Sequence, residues 1–387
     1  MNEVSLNILE NSWKELDEII LYGFGRSAHG SVNQFIEQFH VPFIIDNSDK
    51  WIGKKYKGIP ILKLNVCKEK LDQKKILILA SGQALDSISH SLEKIGLKEN
   101  VDFTDLLTFT SEWYWRFKHK ICLDRVVVSL TERCTFKCRN CGAFMPYYKT
   151  PRDYDMQMLC KDIDLLFETV DMVTCVAIIG GEPFLYPFLD KYIEYIGEKY
   201  RKKIANIQLI SNGSIIPSEK LLKLIKKYDV DIRISNYTRT VPYKEKLNQV
   251  KDILHNYGIS YYEFDQEKWL NFGFPMEDVC MGETVEECRK HMLLCHTTCR
   301  TVHDGRIYYC EQAWSAEQSG LFKLNEYDSI DMRELVDNGN KGKEELINFH
   351  IGNIKQGYMS MCKVCKGFGS DNKDVIQGGI QVGIDGK

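Results

Sequence analysis

Three cysteines carry the clearest chemistry in this chain, in the stretch Cys134-Thr135-Phe136-Lys137-Cys138-Arg139-Asn140-Cys141. Thiolates at Cys-x3-Cys-x2-Cys spacing can ligate three irons of a [4Fe–4S] cube and leave the fourth iron open, a place to bind and cleave a ligand. A structural zinc site is the competing reading. Such sites normally pair one Cys-x2-Cys with another or with histidines, and nothing suitable lies close by in sequence. Further along, Cys295-His-Thr-Thr-Cys299 and Cys310 bracket a short hairpin, and Cys362-Lys-Val-Cys365 supplies a later pair. Asp304-Gly305 is the expected turn of that hairpin, between Thr301–Val302 and Ile307–Tyr309.

The elements that must position these residues can be read from periodicity. The run before the triplet, Arg125-Val-Val-Val-Ser-Leu130, is short, apolar and β-branched, which predicts a buried strand with the cysteines on the loop leaving it. Strand patterns then recur at 175–179, 207–210, 231–234 and 261–264, alternating with helical patterns at 189–202, 218–228 and 241–257. Alternation over about 140 residues, with no room for eight full units, predicts a partial (β/α) barrel of parallel strands whose chemistry gathers at the C-terminal strand ends.

Candidate residues fall at those ends. Gly180-Gly181-Glu182-Pro183 directly follows the strand 175–179, and two glycines let backbone approach a ligand closely and leave main-chain groups free there. Ser211-Asn212-Gly213 and Ser235-Asn236 end the next two strands, where each reads equally as a turn or a helix cap. The stretch 265–289 breaks the alternation and is long enough to cover the barrel mouth. It contains Cys280 and Cys288, candidate hydrogen-atom donors to a substrate, for which a small buried apolar cysteine is the plainer reading.

Composition narrows the class. A chain of 387 residues, 44% hydrophobic with a formal net charge of −3, implies a globular protein of two or three domains with no basic excess for nucleic acid. The run Glu112-Trp-Tyr-Trp-Arg-Phe-Lys-His-Lys120 interleaves rings and charges like a single-stranded nucleic acid groove, but in this chain it reads better as an interdomain segment that packs its rings. The N-terminal residues lack a signal-peptide pattern and no apolar run approaches a membrane span, so the expectation is a cytoplasmic protein without a membrane partner. There, 14 cysteines are metal ligands and free thiols, not a disulfide framework.

The first hundred residues follow a different pattern. A strand at 19–21 runs into Gly23-Phe-Gly25-Arg26-Ser27-Ala28-His29-Gly30 and a helix; a second strand ends at Asp46, about where a dinucleotide-binding unit places its ribose-binding acid. A third strand at 75–80 precedes a helix at 85–95. This predicts a Rossmann-like parallel sheet over residues 1–105, either a site for a phosphate at the helix N-terminus beside Arg26 or a degenerate docking platform. Tyr22-Gly23-Phe24-Gly25, Ile45-Asp46-Asn47 and Lys57-Gly58-Ile59-Pro60 resemble the nucleotide-binding-like domains attached to sugar-modifying transferases.

The cysteine triplet, followed about 40 residues later by Gly180-Gly181-Glu182-Pro183, resembles the radical S-adenosylmethionine (SAM) superfamily. Asn140 stands where members usually carry an aromatic residue. The resemblance implies that Cys134, Cys138 and Cys141 hold a [4Fe–4S] cluster whose open iron chelates SAM and reduces it to a 5′-deoxyadenosyl radical. It further implies that Gly180, Gly181, Glu182, Ser211, Asn212 and Ser235 contact SAM. The later cysteines resemble a twitch domain, the shortened SPASM domain, which implies one auxiliary [4Fe–4S] cluster on Cys299 or Cys295 with Cys310, Cys362 and Cys365; a four-cysteine zinc site is the alternative. The expected architecture is α/β: the Rossmann-like domain, a linker at 106–121, a partial (β/α)6 TIM barrel at 122–290 and a small cysteine-rich hairpin and helix domain at 291–387. The expected function is hydrogen-atom abstraction from a small molecule, a carbohydrate or nucleotide-linked sugar, with a flavodoxin- or ferredoxin-type electron donor. The alternatives are a peptide-modifying maturase of the SPASM type and a zinc-stapled nucleotide-binding module.

Overall fold

The computed structural model describes residues 8–25, 29–295, 297 and 299–383. Strands β1 (Ile20–Tyr22), β2 (Ile44–Ile45), β3 (Lys55–Tyr56), β4 (Ile59–Leu62), β5 (Ile76–Ile78) and β6 (Phe103–Asp105) form one sheet in the order β3-β4-β2-β1-β5-β6. Every pairing except β3 with β4 is parallel. Successive residues of β1 point to opposite faces, so Leu21 joins a core with Trp13, Phe35 and Phe109, while Ile20 and Tyr22 join another with Ile45, Ile78 and Leu92. Both faces are covered, as a parallel sheet requires.

After β6 a helical run at 106–118 carries the ring-rich segment into the first of those cores. Phe109 stacks on Trp113 at a centroid separation of 5.0 Å, and both pack on Phe39. The nearly inaccessible carboxylate of Glu112 accepts the backbone N–H groups of Ile8 and Leu9 and pairs with Arg116. The rings of the interdomain run therefore serve packing.

The second sheet starts with five consecutive parallel strands: β7 (Cys122–Ser129), β8 (Met172–Ile179), β9 (Ile204–Ser211), β10 (Val230–Asn236) and β11 (Tyr261–Asp265). Helices Met156–Thr169, Leu189–Tyr200, Glu219–Lys227 and Lys244–Asn256 follow successive strands. The stretch after β11 is partly ordered: β12 (Lys268–Leu270) forms a separate two-stranded sheet, and a helix spans Val285–Cys295. The sixth parallel neighbour comes from later in the chain. β13 (Arg300–His303) lies parallel to β7, with Arg300 opposite Val126, and continues through β14 (Arg306–Tyr308) to β15 (Ser329–Asp331). The cysteine-bracketed hairpin is thus the other flank of the barrel sheet, not a separate layer beginning at residue 291. Its turn is at Asp304 and Gly305, both with positive φ (49° and 72°), the backbone that a two-residue turn between twisted strands requires. The last strand, β16 (Val375–Gln377), returns to pair antiparallel with β12.

Asp162, on the helix Met156–Thr169, fastens that hairpin by accepting the N–H groups of Asp304 and Gly305 at 2.9 and 2.6 Å. Burial pushes its carboxyl up to about 6, against the opposing pull of those two N–H donors. The folded state therefore holds this proton more tightly than the unfolded chain, so this group's contribution to stability is full below about pH 4 and is lost as pH rises to about 6. In Asp162→Asn that dependence should disappear. Denaturant unfolding at pH 4 and pH 7 should show the wild-type advantage over the variant shrinking by on the order of 2–3 kcal/mol.

Candidate functional site

The loop Cys134–Cys141 leaves β7 and is held against the ends of β8 and β9. Gly181 N–H donates to the Thr131 carbonyl and Glu182 N–H to the Arg133 carbonyl, each at 2.8 Å. A Cβ on Gly181 would lie 2.3 Å from the Arg133 oxygen, so the glycine is needed for contact between two chain segments. The main-chain N–H groups at 181 and 182 are thus taken by the residues leading into the cysteine loop.

Glu182 is fully buried. Its carboxylate accepts Ser211 Oγ and the Asn212 N–H, both at 2.8 Å, and the Phe184 N–H at 3.2 Å. Burial raises its carboxyl to about 7, against these three donors. Asn212 Nδ2 in turn donates to Thr135 Oγ1 at 2.9 Å and lies 3.7 Å from Cys134 Sγ. Glu182, Ser211 and Asn212 therefore brace the cysteine loop. Ser235 is buried at the end of β10, where its carbonyl faces the Tyr243 hydroxyl at 3.4 Å.

Cys134, Cys138 and Cys141 act on one another electrostatically, and burial raises all three thiols, Cys138 to about 12. Each sulfur also receives donors. Phe136 N–H reaches Cys134 at 3.5 Å, and backbone groups of Ala143, Phe144 and Met145 act on Cys141. Such donors stabilise thiolate, the form that ligates metal, so the residues fit an iron–sulfur cluster. Asn140 sits at φ 60°, a left-handed backbone that asparagine tolerates better than most residues and that a bulky aromatic would strain.

The donor to Cys138 comes from far away in sequence. After β16 the chain runs along the cysteine loop: Arg139 N–H donates to Ile380 O at 2.6 Å, Val382 N–H to Lys137 O at 2.8 Å, and Gln381 Nε2 to Cys138 Sγ at 3.2 Å. Sequence reasoning missed Gln381, because no local signal places residue 381 against residue 138.

A second set of thiols converges between the helix Val285–Cys295, β14 and the 3-10 turn Ser360–Lys363. Cys295, Cys310, Cys362 and Cys365 line one small enclosed cavity, with His291, Tyr309 and Phe368. Burial raises every one of these thiols, and each has an opposing backbone donor: Phe368 and Thr297 on Cys295, Ala313 on Cys310, Met359 on Cys362 and Gly367 on Cys365. His291 lies 2.7 Å from the Cys365 carbonyl and 2.9 Å from Asp371. Cys299 is not in this set. It packs on the barrel's inner face against Val127, Cys175 and Ala177, where Arg125 acts on it. Cys295 closes a helix that faces the cavity, while Cys299 immediately precedes β13 and is carried to the sheet. Among the described residues no three His, Cys, Asp or Glu side chains form a single-ion site; a cube does not ask for one, because each thiolate takes its own iron.

Cys288 is fully buried and its Sγ faces Gly282 O at 3.4 Å, with Cys280 and Lys363 nearby. Cys280 is exposed. Both stand beside the Ser360–Lys363 turn.

A second residue that sequence reasoning missed is Glu311, which follows Cys310 at the start of the helix Glu311–Gln318. Its carboxylate accepts Ser315 Oγ at 2.8 Å, and burial pushes it up to about 7. It acts electrostatically on Cys141, Cys299 and Cys310, and so lies near a member of each cysteine set.

Fold and site together define an α/β protein with a metal-binding cysteine loop at the C-terminal end of a parallel sheet. Residues 128–236 match the radical SAM superfamily, and the chain carries a radical SAM domain, with the [4Fe–4S] cluster and SAM of that superfamily as its cofactors. A GTP 3′,8-cyclase of Aliarcobacter butzleri is 31% identical over 34% of this chain and 40% of its own length. The antilisterial bacteriocin subtilosin biosynthesis protein AlbA of Bacillus subtilis is 29% identical over 26% of this chain and 20% of its own length. The chain thus spans less than half the length of either relative. A crystal structure of BtrN in complex with AdoMet and 2-DOIA aligns with 63% of this chain and 92% of that one at 15% identity and a TM-score of 0.39. Among the described residues, no helix is long and apolar enough to cross a membrane.

An N–H donor on a cluster thiolate raises the reduction potential. Gln381→Leu should therefore shift the midpoint potential of the cluster held by Cys134, Cys138 and Cys141 to more negative values in an EPR-monitored redox titration. A potential equal to that of the unaltered protein would separate the C-terminal segment from the cluster.

Proposed function

We propose that the protein is a radical SAM enzyme with two [4Fe–4S] clusters. Cys134, Cys138 and Cys141 hold the SAM-binding cluster. Cys295, Cys310, Cys362 and Cys365 hold a fully ligated auxiliary cluster in a twitch-like domain. The observation that carries this reading is the pair of separate thiol sets, each supplied with donors to sulfur. When bound, the cluster and SAM supply hydrogen-atom abstraction, with the electron coming from a flavodoxin- or ferredoxin-type protein.

The chain's own residues position and exclude. The brace from Glu182 through Asn212 fixes the cysteine loop relative to the strand ends, and the segment 378–382 covers its outer side. We take the substrate to be a small molecule, a carbohydrate on a nucleotide carrier. The support is the N-terminal sheet, whose β1 ends in a glycine turn at a position where such sheets take nucleotides. Asp46 braces that turn, accepting the Phe24 N–H at 2.6 Å and the Ser48 N–H at 2.7 Å. Arg26, suited to pair a phosphate, lies outside the described residues. A peptide substrate is the rival class, and the match to AlbA keeps it in the test. Binding of nucleotide-sugars by the full chain favours the carrier reading; binding of peptides alone favours the rival.

Anaerobically reconstituted protein should hold about eight irons from two cubes. Cys295→Ala should lose about half of them and Cys299→Ala none. Four irons in the unaltered protein, or four-cysteine zinc in place of iron, would remove the auxiliary cluster.

A further inference from the structure

Parallel strands covered on both sides ordinarily carry apolar residues on both faces. The outer face of the barrel sheet does so: Val126, Val128, Val176, Ile178, Ile207, Leu209, Ile232 and Ile234 all belong to the core that packs on the helices. The inner face is mixed: beside the apolar Val127, Ala177, Ile179 and Ile210 it carries charged and polar side chains. Alternation places Arg125, Cys175, Gln208, Arg233 and Tyr262 there. Arg125 Nη2 donates to Gln208 Oε1 at 2.8 Å, and its Nη1 lies 3.5 Å from Cys175 Sγ. Gln208 Nε2 passes the chain on to the Tyr262 hydroxyl. Arg233, in register with Tyr262, sits 4.7 Å from the Phe264 ring centroid, and its buried Nε has no hydrogen-bond partner.

These two guanidinium groups repel each other; one carboxylate, Asp124, acts on Arg125, while Arg233 has none among its strongest neighbours. The ionisable groups acting most strongly on Arg233 are Arg125, Tyr262, Tyr237 and Cys299, none of them a carboxylate. Asp124, next to Arg125 in sequence, faces His350 at 3.0 Å. A buried, unpaired charge is strongly unfavourable, and two of like sign more so, unless something brings the opposite charge. Tyr237 links this place to the chemistry, since it is buried among Cys134, Cys138 and Cys141 on one side and Arg233 on the other.

We propose that Arg125 and Arg233 bind a phosphate group of the substrate on the inner face of the barrel, below the cysteine loop. The proposal rests on the reading of this barrel as a radical SAM site and adds the class of its substrate. A carboxylate would neutralise only one guanidinium, whereas the diphosphate of a nucleotide-linked sugar carries two negative charges and offers oxygens for both forks. Tyr262 and Gln208 supply neutral partners beside it. Anchored there, the phosphate leaves the rest of the substrate directed toward the strand ends where SAM is held.

The test titrates inorganic pyrophosphate into the reconstituted, SAM-loaded full chain by calorimetry. Pyrophosphate should bind the unaltered protein, about tenfold or more weakly to Arg233→Gln, and with part of the affinity restored in Arg233→Lys, which keeps the charge but loses the fork. SAM affinity should stay within about twofold in both variants. Three outcomes would overturn the proposal: no binding to the unaltered protein, equal binding by all three proteins, or SAM affinity falling as far as pyrophosphate affinity, which would put Arg233 on the SAM carboxylate. Failure of the underlying reading looks different, because no protein in the series, the unaltered one included, would then release 5′-deoxyadenosine under reduction.

Discussion

The buried carboxylate of Glu182 is the interaction on which the site depends. It gathers Ser211, Asn212 and Phe184, joining the end of β8 to the end of β9, while the main chain around it is hydrogen-bonded to Thr131 and Arg133 on the cysteine loop. Hydrogen bonds to a charged group contribute about 1.5–3 kcal/mol each, and losing the acceptor would leave buried donors unsatisfied. The absence of a side chain at Gly181 is the other half of the same joint, since any Cβ there would push the loop off the strand ends. A loop of eight residues has little core of its own and takes its geometry from this joint.

The distance between the two thiol sets is set by the sheet. β13 pairs directly with β7, the strand that leads into the first cysteine loop, so the hairpin carrying Cys310 shares a rigid element with that loop. Arg300 secures the junction: it is fully buried, donates to the carbonyls of Thr297, Tyr309 and His350, and lies 3.8 Å from the Tyr309 ring centroid. A charged side chain is tolerated there because its guanidinium meets carbonyl oxygens and an aromatic face. Glu311 is the first residue of the helix that Cys310 caps, and the N-terminus of that helix favours negative charge on the Cys310 sulfur.

The segment after β16 closes the arrangement. β16 adds to β12, and the residues after it run along Lys137 to Arg139, so main-chain hydrogen bonds tie this segment to the outer side of the cysteine loop. The N-terminal sheet stands on its own two cores and is tied in by the helical run at 106–118, whose rings are shared with its first core.

Local signals determined much of this without any structure. The strand before the cysteines, the alternation through β11, the glycine pair after β8 and the Asp304-Gly305 turn are all visible because hydrophobic period and turn chemistry act within a few residues. The radical SAM domain was legible for the same reason, since its cysteine triplet and glycine element are short and separately diagnostic. Tertiary structure alone decided which thiols meet. Cys295 and Cys299 are four residues apart and equally plausible by spacing, but one ends a helix aimed at the cavity and the other precedes a strand that joins β7. Gln381 on Cys138, Glu311 near both cysteine sets and Arg233 facing Arg125 were likewise invisible. Each depends on strand register or on contacts between residues distant in sequence, and a linear pattern holds no information about which of many possible partners a long-range pairing will choose.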